Sequence, residues 1–165
     1  MLTLFHFRII NRAMKFKDIS EGAAALVTQL QTEMQLDQTW QVVGLGRLGL
    51  DVAHLVSKEF KLPCLEIQVS RTKDELGFLT EPEFILPDNL GSKLLICDVG
   101  VETGKTAIGA AAKLAELDHE TVACFAAIVI PREVQPRLKM SFDQIVAART
   151  PLIRRDLRWE FEEIG

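Results

Sequence analysis

Cysteine, positive charge and long apolar runs are all in short supply in this 165-residue chain, and each shortage removes a class of protein. Cys64, Cys97 and Cys124 stand in apolar runs with no CxxC spacing, which reads as buried, reduced thiols and excludes a disulfide framework or a zinc site. No run approaches the roughly 18–20 apolar residues that span a bilayer. The apolar start, Met1-Leu-Thr-Leu-Phe-His-Phe-Arg-Ile-Ile, carries Arg8 and is followed by Arg12, Lys15 and Lys17, the reverse of a secretory signal. The chain therefore reads as cytoplasmic, with Met14 as an alternative start that would leave residues 1–13 as an extension. A net charge of −4 and a pI near 5.4 give no general reason to expect nucleic acid or a membrane surface as partner. Low-complexity sequence is also absent, and an apolar fraction of 48% indicates one folded domain spanning residues 1–165.

What is present is a regular alternation. Apolar runs near 41–45, 63–69, 94–97, 121–130 and 144–148 read as buried strands, and helical periodicity fills most of the intervals between them. A first helix is expected from Asp18 to about Gln35, with apolar residues at 23, 26, 27, 30 and 34 and Asp18 or Ser20 as its cap. This order predicts an α/β fold with a mostly parallel central sheet flanked by helices. The polar segment from Ser70 to Gly91, with Gly77, Pro82 and Pro87, reads as a long loop of the kind that is usually functional or mobile.

Chemistry concentrates in Lys93-Leu-Leu-Ile-Cys-Asp98-Val-Gly-Val-Glu102-Thr-Gly-Lys-Thr106 and the Ala-rich helix that follows. A buried strand ending at Asp98, then a turn with Thr103, Gly104 and Thr106 opening a helix, brings backbone N–H groups and hydroxyls to bear on an anion. Gly104-Lys105-Thr106 matches the last half of a P-loop. However, only three residues separate Gly100 from Gly104, one short of the spacing that wraps a nucleoside triphosphate. A second glycine motif, Gly44-Leu-Gly46-Arg47-Leu48-Gly49, follows the first strand and has the formal GxGxxG spacing, with Glu66 about twenty residues on, near the expected end of the next strand. It carries the alternative of a dinucleotide site and affinity for NAD.

The 93–106 stretch resembles the ribose-5-phosphate loop of the type I phosphoribosyltransferases, in which an apolar strand and acids lead into Thr-Gly-x-Thr. The Gly44–Gly49 turn is similar to the family's pyrophosphate loop, with Arg47 adding charge to the cradle. The resemblance covers roughly residues 38–150. It implies transfer of a phosphoribosyl group from phosphoribosyl pyrophosphate to a nucleobase, purine favoured, with magnesium held mainly through the substrate. It also implies a small hood and a homodimer. By position, Thr103, Gly104, Lys105 and Thr106 would hold the 5-phosphate, and Asp98 the ribose hydroxyls. Glu102 would face the base nitrogen. Arg47, Leu48 and Gly49 would hold the pyrophosphate. Arg71 and Lys73 would lie on the loop that closes over substrate, and Trp159, in the terminal hood, would stack on the base.

Phe142-Asp143 is similar to the aromatic-aspartate pairs with which purine members open the segment lining the base, and Arg154, Arg155 and Arg158, interleaved with acids, read as a solvated mixed-charge face. Two departures stand out: Val99 occupies the place of the family's second acid, and Gly100 that of a larger apolar residue. Val99 opens a further alternative, a non-catalytic member of the fold that senses a nucleotide or phosphoribosyl pyrophosphate.

Overall fold

The computed structural model describes residues 15–164, so the expected extension at 1–13 and the choice between Met1 and Met14 lie outside the described residues. Helix α1 (Ile19–Glu33) opens where the Asp18 carboxylate accepts the Glu21 N–H at 2.9 Å, which settles the cap between the two candidates. The chain continues through β1 (Gln41–Leu45), α2 (Gly46–Phe60), β2 (Cys64–Ser70), β3 (Glu83–Ile85), β4 (Lys93–Gly100), α3 (Lys105–Leu117), β5 (Val122–Val129), α4 (Gln135–Ser141) and β6 (Gln144–Arg149). Short 3-10 turns occupy Arg132–Val134 and Leu157–Trp159.

The sheet has the order β3-β2-β1-β4-β5-β6. All neighbours are parallel except β2 and β3. An apolar core lies on each face. Along β4, Leu95, Cys97 and Val99 join one core with α1 and α2, while Leu94 and Ile96 join the other with α3 and α4. This period-two alternation is what lets a nearly continuous apolar strand serve two layers of helices. Because α2 leaves β1 on one face and α3 leaves β4 on the other, the carboxyl ends of β1 and β4 flank the point where the winding reverses. Open α/β sheets form their ligand crevice at such a point.

Three expectations change at this level. The segment 70–91 is not wholly loop, because Glu83–Ile85 adds an antiparallel edge strand to β2 and Lys73 bridges to Leu79 in a short hairpin. A dinucleotide-binding fold would need a parallel strand here, reached by a crossover helix. Glu66 is not near the end of its strand; it lies opposite Gly44, four residues before Ser70 closes β2. Finally, Phe142 stacks on Phe125 at 5.1 Å between ring centres, and the Asp143 carboxylate accepts the Ala123 N–H at 2.9 Å. The pair clamps the start of β6 to β5, at the amino ends of the strands and away from the ligand crevice. No helix among the described residues is long and apolar enough to cross a membrane.

Candidate active site

Strand β4 does not stop at the acid. It runs two residues further, to Gly100, so Asp98 sits inside the strand and Val99 turns back into the α1/α2 core with 1% of its surface exposed. Gly100 is where the hood packs: a Cβ there would lie 2.5 Å from Leu157 Cδ2, which accounts for glycine where a larger residue was expected. Asp98 is partly buried, and its Oδ1 accepts the Val99 N–H at 2.7 Å. Desolvation pushes its pKa up to about 7, against the pull of that hydrogen bond. A carboxyl poised near neutrality beside a crevice suits a ligand-facing role.

The turn that follows is short. The Val101 N–H is bound to Val129 O, the Lys105 N–H to Thr103 Oγ1 at 3.3 Å, and the first helical bond runs from the Ile108 N–H to Gly104 O. Among the described residues, the N–H groups of Glu102, Thr103, Gly104 and Thr106 find no acceptor in the chain. Gly104 has φ +84, a left-handed conformation that side chains disfavour, and a Cβ there would press on Val134 at 3.1 Å. The glycine thus lets the chain fold tightly into α3 and leaves successive N–H groups at the positive end of the helix dipole. Thr103 and Thr106 are half-buried beside them, while Glu102 and Lys105 are exposed.

Two residues of the 71–81 hairpin reach this turn. Arg71 Nη2 donates to Thr106 Oγ1 at 2.8 Å, and Lys105 Nζ lies 3.5 Å from Glu81 Oε1. Arg71 is therefore already at the turn. Lys73 is exposed further along the hairpin and forms no ion pair among the described residues.

The Gly44–Gly49 segment holds no separate loop between strand and helix. Helix α2 starts at Gly46 directly from β1, so Arg47, Leu48 and Gly49 form its first turn. Gly44 and Gly49 serve close packing: a Cβ on the first would lie 2.4 Å from Leu50 Cα, and on the second 2.7 Å from Cys97 O. Gly49 also stands near Asp98, since the same Cβ would be 3.4 Å from Asp98 Oδ1. The first turn of α2 and the acid of β4 thus share the crevice, with Arg47 and Leu48 exposed at its rim.

In the hood, Trp159 is 61% exposed, whereas Phe161 is buried against Phe16 with ring centres 5.7 Å apart. Arg158 is held to Asp156 by a 2.7 Å ion pair. That hydrogen bond is the main cause raising the arginine's pKa, and the nearby Glu102 charge adds to it. The expected mixed-charge face needs correction at Glu160: it is 1% exposed and ion-paired to both Arg149 and Arg155. The run of acids and arginines in the sequence gave no sign that one carboxylate would be interior. Burial pushes the thiols of Cys97 and Cys124 up, so neither is a ready nucleophile.

No family model matches the chain, and no curated protein matches its sequence. Solved structures do match its shape. A purine phosphoribosyltransferase from Pyrococcus horikoshii superposes with a TM-score of 0.56 at 20% identity, over 87% of this chain and 97% of that one. The Helicobacter pylori xanthine-guanine-hypoxanthine phosphoribosyltransferase gives 0.60 at 15% identity, over 96% and 92%. A hypothetical protein from Neisseria gonorrhoeae with bound ppGpp gives 0.61 at 13% identity, over 89% and 90%. At these identities the likeness establishes the fold, which is that of the type I phosphoribosyltransferases.

Proposed function

We propose that this chain transfers a phosphoribosyl group from phosphoribosyl pyrophosphate to a nitrogen of a purine base and releases pyrophosphate. The observation that carries the reading is the turn between β4 and α3, where four N–H groups without a partner among the described residues follow Asp98. The N–H groups of Glu102 to Thr106, with the Thr103 and Thr106 hydroxyls, would seat the 5-phosphate. The Asp98 carboxylate would accept hydrogen bonds from the ribose hydroxyls, which fixes the sugar as positive charge grows on its ring. Arg47 and the first-turn N–H groups of α2 would take the pyrophosphate end, and Arg71 would close over the substrate from the hairpin. Glu102 would accept the proton of the attacking base nitrogen, and the exposed Trp159 would stack on the base.

Magnesium would neutralise the pyrophosphate as it leaves. Among the described residues no three His, Cys, Asp or Glu side chains gather into a metal cage, so the substrate's own phosphates would be the ion's principal ligands. Free cysteines accord with a cytoplasmic setting, and a homodimer is what the resemblance implies.

A second reading, a nucleotide-sensing protein on the same fold, is favoured by Val99, the apolar residue that stands where the resembling family carries its second acid. The fold neighbour with bound ppGpp belongs to the same line of thought. A thermal-shift panel of phosphoribosyl pyrophosphate, GMP, UMP and NAD, each with and without magnesium, separates the readings. The first two ligands should stabilise the chain, by about 2.7 kcal/mol at a hundredfold excess over Kd. Pyrophosphate release on adding a purine would then mark the enzyme. Stabilisation by NAD alone would reject both readings.

A further inference from the structure

Four arginines line one open cavity of about 1180 Å3 at the carboxyl ends of β5 and β6, in a chain whose net charge is −4. Arg149, the last residue of β6, donates from Nη1 to Glu160 Oε2 at 3.1 Å and lies 4.0 Å over the Phe16 ring. Arg155 donates from Nε to Glu160 Oε1 at 2.8 Å, and its Nη2 lies 2.7 Å from the same oxygen. Glu160 is thus a buried carboxylate shared by two guanidinium groups. Such an arrangement contributes little net stability, because three charges give up water, but it fixes the planes of both arginines. Arg132 and Arg154, which also line the cavity, are held by their backbones. The Arg132 N–H donates to Pro151 O at 2.8 Å, and the Arg154 N–H to Glu133 Oε1 at 2.9 Å. Neither guanidinium has a carboxylate partner among the described residues.

Four guanidinium groups line the cavity against one lining carboxylate, and with Glu133 counted at the Arg154 N–H two positive charges remain in surplus. Low-dielectric walls concentrate such a field on whatever enters. A single phosphate or carboxylate would satisfy one arginine bidentately and leave the others unanswered. Nucleic acid is a poor match, since the surplus is confined to one open cavity rather than spread along a face of this acidic protein. The cavity also differs from the turn after β4. Arg149 is in register with Val129 and Val129 with Gly100, so two strand spacings, about 10 Å, separate them. No residue of the 98–106 stretch lines the cavity.

We infer that this cavity binds a small polyanion, one carrying two or more closely spaced phosphate or carboxylate groups, at a site separate from the β4–α3 turn. The inference goes beyond the transferase reading and does not depend on it. The test is an amide-resolved NMR titration of the full chain at low salt with tripolyphosphate, citrate and inorganic phosphate as probes. Saturable shifts are expected at Thr150, Leu152, Ile153, Arg154 and Arg155, with tripolyphosphate or citrate at least tenfold tighter than inorganic phosphate. The order of the first two tells phosphate from carboxylate chemistry. Arg132→Gln combined with Arg154→Gln, both at exposed positions, should weaken the tighter probe at least tenfold there and leave responses at Glu102 to Thr106 unchanged. No saturable shift at residues 150–155, equal affinity for inorganic phosphate, or indifference to the double substitution would each overturn the inference. Failure of the transferase reading would show separately, as no response of residues 102–106 to phosphoribosyl pyrophosphate.

Discussion

Val99→Asp should unfold the protein or bring it close to unfolding, rather than restore a catalytic acid. Residue 99 stands where the resembling family carries a second carboxylate, so the substitution looks like a repair on paper. In the structure Val99 is 1% exposed and packs in the α1/α2 core with Leu95, Cys97 and Val129. Removing the valine forfeits about 1.5–3 kcal/mol of burial. An unpaired carboxylate in its place costs several kcal/mol more, even if it takes up a proton to avoid the charge. Against a total stability of about 5–15 kcal/mol, a loss of about 4 kcal/mol or more is decisive. For a chain of this size it corresponds to a fall in Tm of roughly 10 °C. Thermal melts of Val99→Asp and, for comparison, Val99→Thr would check this, with the isosteric threonine much less affected. A Val99→Asp protein that melts within 2–3 °C of the wild type would mean that residue 99 faces the crevice after all.

Asp98→Asn should do two opposite things: stabilise the free protein above neutral pH and weaken its hold on a ribose. The acid's pKa stands near 7 in the folded chain, raised from 3.8 chiefly by desolvation. Between these values the folded state keeps a proton that the unfolded state has lost, so stability falls as pH rises through this window and levels off above about 7. Below the unfolded value both states are protonated and the penalty is absent. Asparagine carries no such cost, so its advantage over aspartate should grow from pH 4 to pH 8 by on the order of 1–3 kcal/mol. The same change removes a charge-assisted acceptor, worth about 1.5–3 kcal/mol of ribose affinity, or tenfold and more. Melts across pH beside GMP or phosphoribosyl pyrophosphate titrations would show both effects. A variant with unaltered affinity would remove Asp98 from the site.

The two substitutions show where sequence reasoning reached and where it stopped. Long apolar runs such as Leu94–Cys97 and Val122–Val129 announced parallel strands, because a strand buried on both faces has little room for polar residues. Glu83–Ile85 is not legible in the sequence because a three-residue edge strand with one exposed acid and an exposed isoleucine carries almost no pattern. In the sequence Asp98 marks the end of an apolar run and so of a strand, yet β4 continues through Val99 to Gly100, which pairs with Val129 of β5. The glycines of Gly44–Gly49 read equally as a phosphate cradle or as contact points, and only the 2.4 and 2.7 Å approaches reveal how far packing accounts for them. Thr103, Gly104 and Thr106 were legible because turn chemistry is local. Arg71 was suspected by position alone, and its bond to Thr106 spans 35 residues. Glu160 departs from the solvated face expected of the terminal charges, since a carboxylate's burial is decided by partners that fold in from β6 and the hood.

The central claim is that the turn after β4 seats a sugar phosphate. A crystal structure of the full chain with phosphoribosyl pyrophosphate and magnesium tests it most directly. The 5-phosphate should lie on the N–H groups of Glu102 to Thr106, with the ribose hydroxyls at Asp98. A ligand whose sugar phosphate instead rests on the first turn of α2, leaving the β4–α3 turn untouched, would contradict the account.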